Sequence, residues 1–157
     1  MSTDESCETH PEAILELENG ELVSRFIYSK SHMSTEHHRP KPDAFNPLPD
    51  KPLSVVHTTG LPDRDVWEIG RLHALVDKPG RDKIRGRADM PVKALIKRNL
   101  RAIRDDNPFA RHTSVIGWPR SSDPDQRKQQ LKDLCLALSQ DPEIKLIIPE
   151  NPVTNPA

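Results

Sequence analysis

Two tripeptides in the sequence set an imidazole two residues before a hydroxyl. His57-Thr58-Thr59 follows Ser54-Val55-Val56, and His112-Thr113-Ser114 leads into Val115-Ile116. On an extended strand residues i and i+2 share a face, so His57 with Thr59, and His112 with Ser114, each present a base and a hydroxyl together. Phosphoester chemistry can use that set. One imidazole takes a proton from water or a hydroxyl, the other protonates the leaving oxygen, and the hydroxyls hold the phosphate. Histidine is the side chain that titrates near neutrality, and the chain carries seven.

Cations that could hold the anion recur in four segments. They are Arg25 through His32 (Arg-Phe-Ile-Tyr-Ser-Lys-Ser-His), Lys41-Pro42 with Ala44-Phe45, Arg85-Gly86-Arg87-Ala88-Asp89, and Arg111-His112. Arg25 stands in an apolar strand, and a buried guanidinium needs an anion, supplied by Asp89 or by a ligand phosphate or carboxylate. For Arg87 with Asp89, a structural ion pair between neighbouring loops is the competing reading.

The paired tripeptides resemble the signature of the two-histidine phosphoesterases, which include cyclic phosphodiesterases and RNA ligase-like enzymes. That resemblance implies His57 and His112 as acid and base, with Thr59 and Ser114 on the phosphate. The segments from Arg25 to Pro119, Ile116-Gly117-Trp118-Pro119 among them, resemble a group of small bacterial proteins with no assigned activity. This second resemblance implies that Arg25, His32, Lys41, Arg87, Asp89 and His112 belong to one site. An Arg strand followed by Ser29-Lys30-Ser31 is also loosely similar to ADP-ribosyltransferase-like folds that hold a dinucleotide, although their catalytic glutamate motif is missing.

The resulting expectation is a basic His/Arg cleft for a phosphate-bearing ligand, a nucleotide or an RNA end. His112 does acid/base work with His57 or His32, and Arg25, Lys41, Arg87, Arg111, Asp89, Thr59 and Ser114 bind. The competing class is a non-catalytic accessory or immunity-type protein that binds a partner protein through its proline-rich segment and acidic leader. No metal and no cofactor are expected, since Cys pairs, His-Glu-x-x-His, EF-hand spacing and a Walker loop are all absent. Six scattered aromatics, none between Lys78 and Arg104, argue against a single-strand stacking platform.

The elements that must position these residues are read from charge and periodicity. Met1 to Leu22 holds seven acidic residues and no Lys or Arg, whereas Lys78 to Arg104 holds ten Lys/Arg against Asp82 and Asp89. Such a run either binds phosphate or forms a solvated, salt-bridged face. The acidic leader, 1–21, reads as a disordered tail or as an arm over the basic region. Strands are expected over Leu22–Tyr28, Leu53–Thr58, Thr113–Trp118 and Ile144–Ile148. Helices are expected over Pro62–Val76, stopped by Lys78-Pro79-Gly80, from Pro91 through Ile96, and over Pro124–Leu138. Arg85–Met90 reads as a loop or brief strand. Five prolines between Arg39 and Pro52 predict an extended surface segment, and 149–157 a frayed tail.

The fold class is therefore α+β, a small single domain over 22–148 with a mixed or antiparallel sheet and about three helices. No apolar run approaches the ~18–20 residues of a membrane span. The N-terminus lacks the basic and apolar regions of a signal peptide, and Cys7 and Cys135 are far apart, so a reducing cytoplasm is the expected compartment.

Overall fold

A computed structural model describes residues 15–49, 51–76 and 80–154. In chain order its strands are β1 (Leu15–Glu16), β2 (Leu22–Ile27), β3 (Met33–Ser34), β4 (Arg39–Pro40), β5 (Leu53–His57) and β6 (Lys83–Ile84). They continue as β7 (Gly86–Pro91), β8 (Arg101–Arg104), β9 (His112–Ile116), β10 (Lys145–Ile147) and β11 (Val153–Thr154). The helices are α1 (Asp63–Ile69), α2 (Val92–Ile96) and α3 (Pro124–Gln140). Seven strands build one sheet in the order β10-β7-β2-β5-β9-β8-β1, and every pair is antiparallel. The fold is α+β.

Side-chain alternation divides the sheet into two faces. Val23 lies opposite Met90, and Val115 opposite both Leu53 and Ala102, so these residues point one way with Val55 and Ala88. They form the larger core with Cys135 and Leu138 of α3 and with Leu95 of α2. Phe26 and Val56 point the other way and pack on Val66, Ala74, Leu75 and Ile84. The expected Pro62–Val76 helix is present as α1 followed by one wide π turn, Gly70–Ala74, closed by Leu75 N donating to Gly70 O. Gly70 allows the close approach, because a Cβ there would stand 2.7 Å from Ile84 Cδ1 and 2.9 Å from the Phe26 ring. The helix stop read at Lys78-Pro79 lies outside the described residues.

The proline-rich segment departs from the expected extended run over the surface. Pro42 opens a 3₁₀ turn, Pro42–Phe45, that carries Ala44 and the fully buried Phe45 under α3. Proline's fixed φ suits a first helical turn, where its missing N–H is no loss. The ends also pair. Leu15–Glu16 lies beside Arg104–Ile103 with Leu17 buried, and Val153–Thr154 pairs with Ile84–Lys83. The leader's remaining positions, 1–14 with Cys7, and the last three of the tail lie outside the described residues.

The basic run resolves largely into ion pairs. Arg87 meets Asp89 and Asp63, Lys93 meets Glu143, Lys97 and Arg98 meet Asp141, Arg101 meets Glu16, and Arg104 meets Asp106. Asp123 caps α3 by accepting from Asp125 N and Gln126 N. No helix among the described residues is long and apolar enough to cross a membrane.

Candidate functional site

Strand β9 sends Thr113 and Val115 into the larger core and turns His112 and Ser114 to the opposite face. There His112 pairs across the ladder with Val56, and Ser114 with Ser54. The loop that enters β9 folds back tightly, since Asp105 N and Asp106 N both donate to His112 O. Asp106 and Arg111 take positive φ, 52° and 73°. Asp106 Oδ1 accepts from Arg111 N at 2.7 Å and from Arg104 Nε at 2.9 Å, and these bonds, the backbone one foremost, hold its carboxyl below the usual range.

That loop delivers Asp105 to the imidazole. Its Oδ1 stands 2.7 Å from His112 Nδ1, and its Oδ2 accepts from Ser114 Oγ at 2.7 Å. An ionised carboxylate only accepts, so His112 carries its proton on Nδ1 and keeps Nε2 as the basic nitrogen. Phe109 from the same loop meets the imidazole edge-on at 5.4 Å, and His73 of the π turn stacks on Phe109 at 5.3 Å.

His112 lines a narrow cleft with Arg25, Phe26, Tyr28, Ser54 and Phe109, whose inner space holds about one water-sized group. Arg25 Nε donates to Ala44 O at 3.1 Å and a terminal nitrogen to Ser54 O at 2.9 Å. Desolvation pulls this guanidinium below its ordinary pKa, and no carboxylate among the described residues pairs with it. At the same corner the Arg81 guanidinium lies 5.1 Å over the Tyr28 ring. Register puts Arg25 with Val23 and Ala88 on the face of the larger core and His112 on the opposite face, so Arg25 borders the cleft from where its guanidinium reaches Ser54 O between β2 and β5.

The other expected site residues fall elsewhere. His57 pairs opposite Val23, hence on the face away from His112, so the two imidazoles of the tripeptides do not share a ligand space. His57 Nδ1 accepts from Arg104 at 3.1 Å, which leaves Nε2–H to donate to Glu21 Oε1 at 2.7 Å. That bond holds the Glu21 carboxyl below its ordinary range. Thr59 Oγ1 accepts from Leu22 N at 2.7 Å, and Arg111 donates to His57 O at 3.0 Å; both brace backbone.

Arg87 grips Asp89 through Nε and a terminal nitrogen at 2.8 and 3.2 Å, reaches Asp63 at 2.6 Å, and stacks 4.5 Å over Trp67. Ser24 Oγ adds a 2.6 Å bond to Asp89. Burial works against the Arg87 charge, yet the two carboxylates raise its pKa, and the Arg87–Asp89 pair lies within strand β7 rather than between neighbouring loops as expected. His32 ends a 3₁₀ turn and accepts Lys41 N on its carbonyl, and Lys41 borders a groove near α3.

Of the six polar residues expected to form one site, Arg25 and His112 share the cleft. Tyr28 also lines it, Asp105 backs His112 and Arg81 lies over the Tyr28 ring; none of the three was singled out in the sequence. The available signal was the Asp105-Asp106-Asn107-Pro108 turn just before His112, hidden because the preceding strand β8 reads as part of a basic run. Among the described residues no three His, Cys, Asp or Glu side chains gather as metal ligands. Compared with protein-family models, with curated proteins and with solved structures, the chain matches none.

Proposed function

We propose that the Arg25–His112 cleft receives the terminal anionic group of a phosphate-bearing ligand, a nucleotide or RNA end, and that the Asp105–His112 pair serves as acid and base on its phosphoester. One observation carries the reading: Arg25, whose guanidinium has no carboxylate partner among the described residues, lines the same cleft as His112, whose Nδ1 is already spent. Arg25 and Arg81 would hold the phosphate oxygens. His112 Nε2 would take a proton from water as the water oxygen bonds to phosphorus. The bond from phosphorus to the ester oxygen breaks, and that oxygen takes the proton back from the imidazolium. Asp105 steadies the imidazolium between these two transfers, as a carboxylate on Nδ1 does in hydrolase triads.

The narrowness of the cleft limits what enters to a single oxygen-sized tip of the phosphate, with the rest of the ligand outside over Tyr28 and Phe109. Burial pushes the Cys135 thiol up to about 11, and this free, inert cysteine suits the reducing cytoplasm we assign to the protein.

The test is a thermal-shift and turnover screen with inorganic phosphate, adenosine monophosphate, 2′,3′-cyclic nucleotides and short RNAs, on the wild type and on His112→Ala. A ligand at 100 times its Kd stabilises by about 2.7 kcal/mol, which a melting curve resolves easily. Stabilisation by at least one phosphate, with turnover lost in His112→Ala, is the expected result. Failure of every probe to shift the wild type removes the reading.

A further inference from the structure

A second concavity lies between the β3–β4 ribbon and the C-terminal half of α3, and it shares no lining residue with the Arg25–His112 cleft. Its floor is apolar, built from Pro40, Pro42 and Leu136, and Leu136 is 44% exposed although it belongs to a helix whose neighbours Cys135 and Leu138 are buried. Its rim is cationic. His37, Arg39 and Lys41 stand at alternate positions along the ribbon, and all three are exposed. Most cations of the Lys78–Arg104 run are matched to carboxylates, yet Arg39 and Lys41 have no ion-pair partner among the described residues. His37 stands 3.6 Å from the adjacent Glu36. Ser34, Ser139 and Gln140 border the groove with groups able to bond an extended backbone.

We propose that this groove docks a short acidic segment of a partner protein. One apolar side chain seats on Leu136, Pro40 and Pro42, and flanking carboxylates pair with Arg39 and Lys41. Charge complementarity selects this occupant. A nucleic acid would satisfy the rim but waste the apolar floor, which offers no aromatic platform for a base. This inference is independent of the phosphoester reading, since the two sites can bind separately.

The experiment titrates the isotope-labelled full chain with a capped Glu-Glu-Leu-Glu-Glu peptide and with its Lys-Lys-Leu-Lys-Lys counterpart, following amide shifts by NMR. The acidic peptide should move Ser34, Lys41, Leu136 and Ser139 and leave His112 still. Reversing both rim charges, Arg39→Glu with Lys41→Glu, should weaken it at least about tenfold, as should salt near 1 M, where charges are screened within ~3 Å. Both substituted residues are exposed, and an unchanged spectrum elsewhere verifies the fold. Equal response to the two peptides overturns the proposal. So does silence to both, shifts confined to the Arg25–His112 cleft, or a groove already covered by a second copy of the chain in sedimentation.

Discussion

Asp105 holds His112 by Nδ1: its Oδ1 is 2.7 Å from that nitrogen, while its Oδ2 takes the Ser114 hydroxyl at the same distance. One carboxylate thus fixes both polar side chains that β9 presents on that face. The hydroxyl expected to touch phosphate is instead spent on orienting the loop. Ser114 is a positioning residue in this arrangement, acting through Asp105 on the imidazole.

Replacing Asp105 by Asn should therefore separate orientation from charge. An amide can present its NH₂ to Nδ1, which moves the imidazole proton to Nε2 and leaves no basic nitrogen toward the cleft. We expect the ¹⁵N signature of His112 to switch tautomer, and any phosphoester turnover to fall by about 10²–10⁴-fold, the usual contribution of a general base. Asp105→Ala leaves the Ser114 hydroxyl and Nδ1–H unpaired and should cost about 1–3 kcal/mol in urea unfolding. Turnover unaltered by Asn with the tautomer switched would remove His112 from the chemistry.

Asp141 sets an acid limit on the fold. Its carboxylate ends α3 with the side chain only 1% exposed, accepts from Glu143 N, and meets Lys97 and Arg98 of the α2 end. Burial alone would raise its pKa, but the Glu143, Lys97 and Arg98 interactions outweigh it and the value falls below the ordinary 3.8. A depressed carboxylate adds stability that is fully present above its unfolded pKa and is lost as pH drops through the folded one. Stability should decline below about pH 4 by this contribution, and Asp141→Asn should flatten the decline in that window. At neutral pH Asp141→Ala should cost roughly 2–3 kcal/mol, less than a fully buried pair because Lys97 is half-exposed.

The fold was legible where apolar spacing was clean. Leu22–Ile27, Leu53–His57, α2 and α3 lie close to where periodicity puts them, since each buries a regular stripe. Strand β8 was not legible: its Arg-Ala-Ile-Arg run is short and charged, and it is a strand because its backbone ladders with Thr113–Ile116 on one side and Leu15–Glu16 on the other. The site shows the same limit. Arg25 and His112 could be picked by type, but which residues share a face depends on ladder register. Register places His112 opposite Val56 and His57 opposite Val23, splitting two tripeptides that look alike in sequence. Asp105 enters only through a loop whose backbone has left-handed residues at Asp106 and Arg111.

Gly70→Ala tests the contact that seats α1 on the sheet. Helix propensity alone would favour alanine by about 1 kcal/mol. Against this, the new methyl would meet Ile84 Cδ1 at 2.7 Å and the Phe26 ring at 2.9 Å, both inside van der Waals contact. Ile84 can turn aside, but Phe26 is held by Trp67 at 6.3 Å and by the strand. Overpacking of this kind costs typically ~1–3 kcal/mol, so a net loss of about 1 kcal/mol in chemical denaturation is expected. A gain in stability would show that the π turn relaxes freely and that Gly70 is not needed for packing.

Phe45→Ala probes the element whose composition is most misleading. Five prolines around it suggest solvent, yet the ring is fully buried in the larger core and carried by a turn wedged beneath α3. Removing it leaves a cavity that the prolines cannot close, because their fixed φ keeps the turn from settling inward. The expected loss is about 3–5 kcal/mol, the range for aromatic truncation in a core, and it should be read as a lower denaturant midpoint at nearly unchanged m-value. The same turn supplies Ala44 O to Arg25 Nε, so the variant should also loosen the guanidinium. A loss below about 1 kcal/mol would mean that the segment lies on the surface as its composition suggests. In that case the Arg25 side of the cleft would have to be anchored by Ser54 O alone.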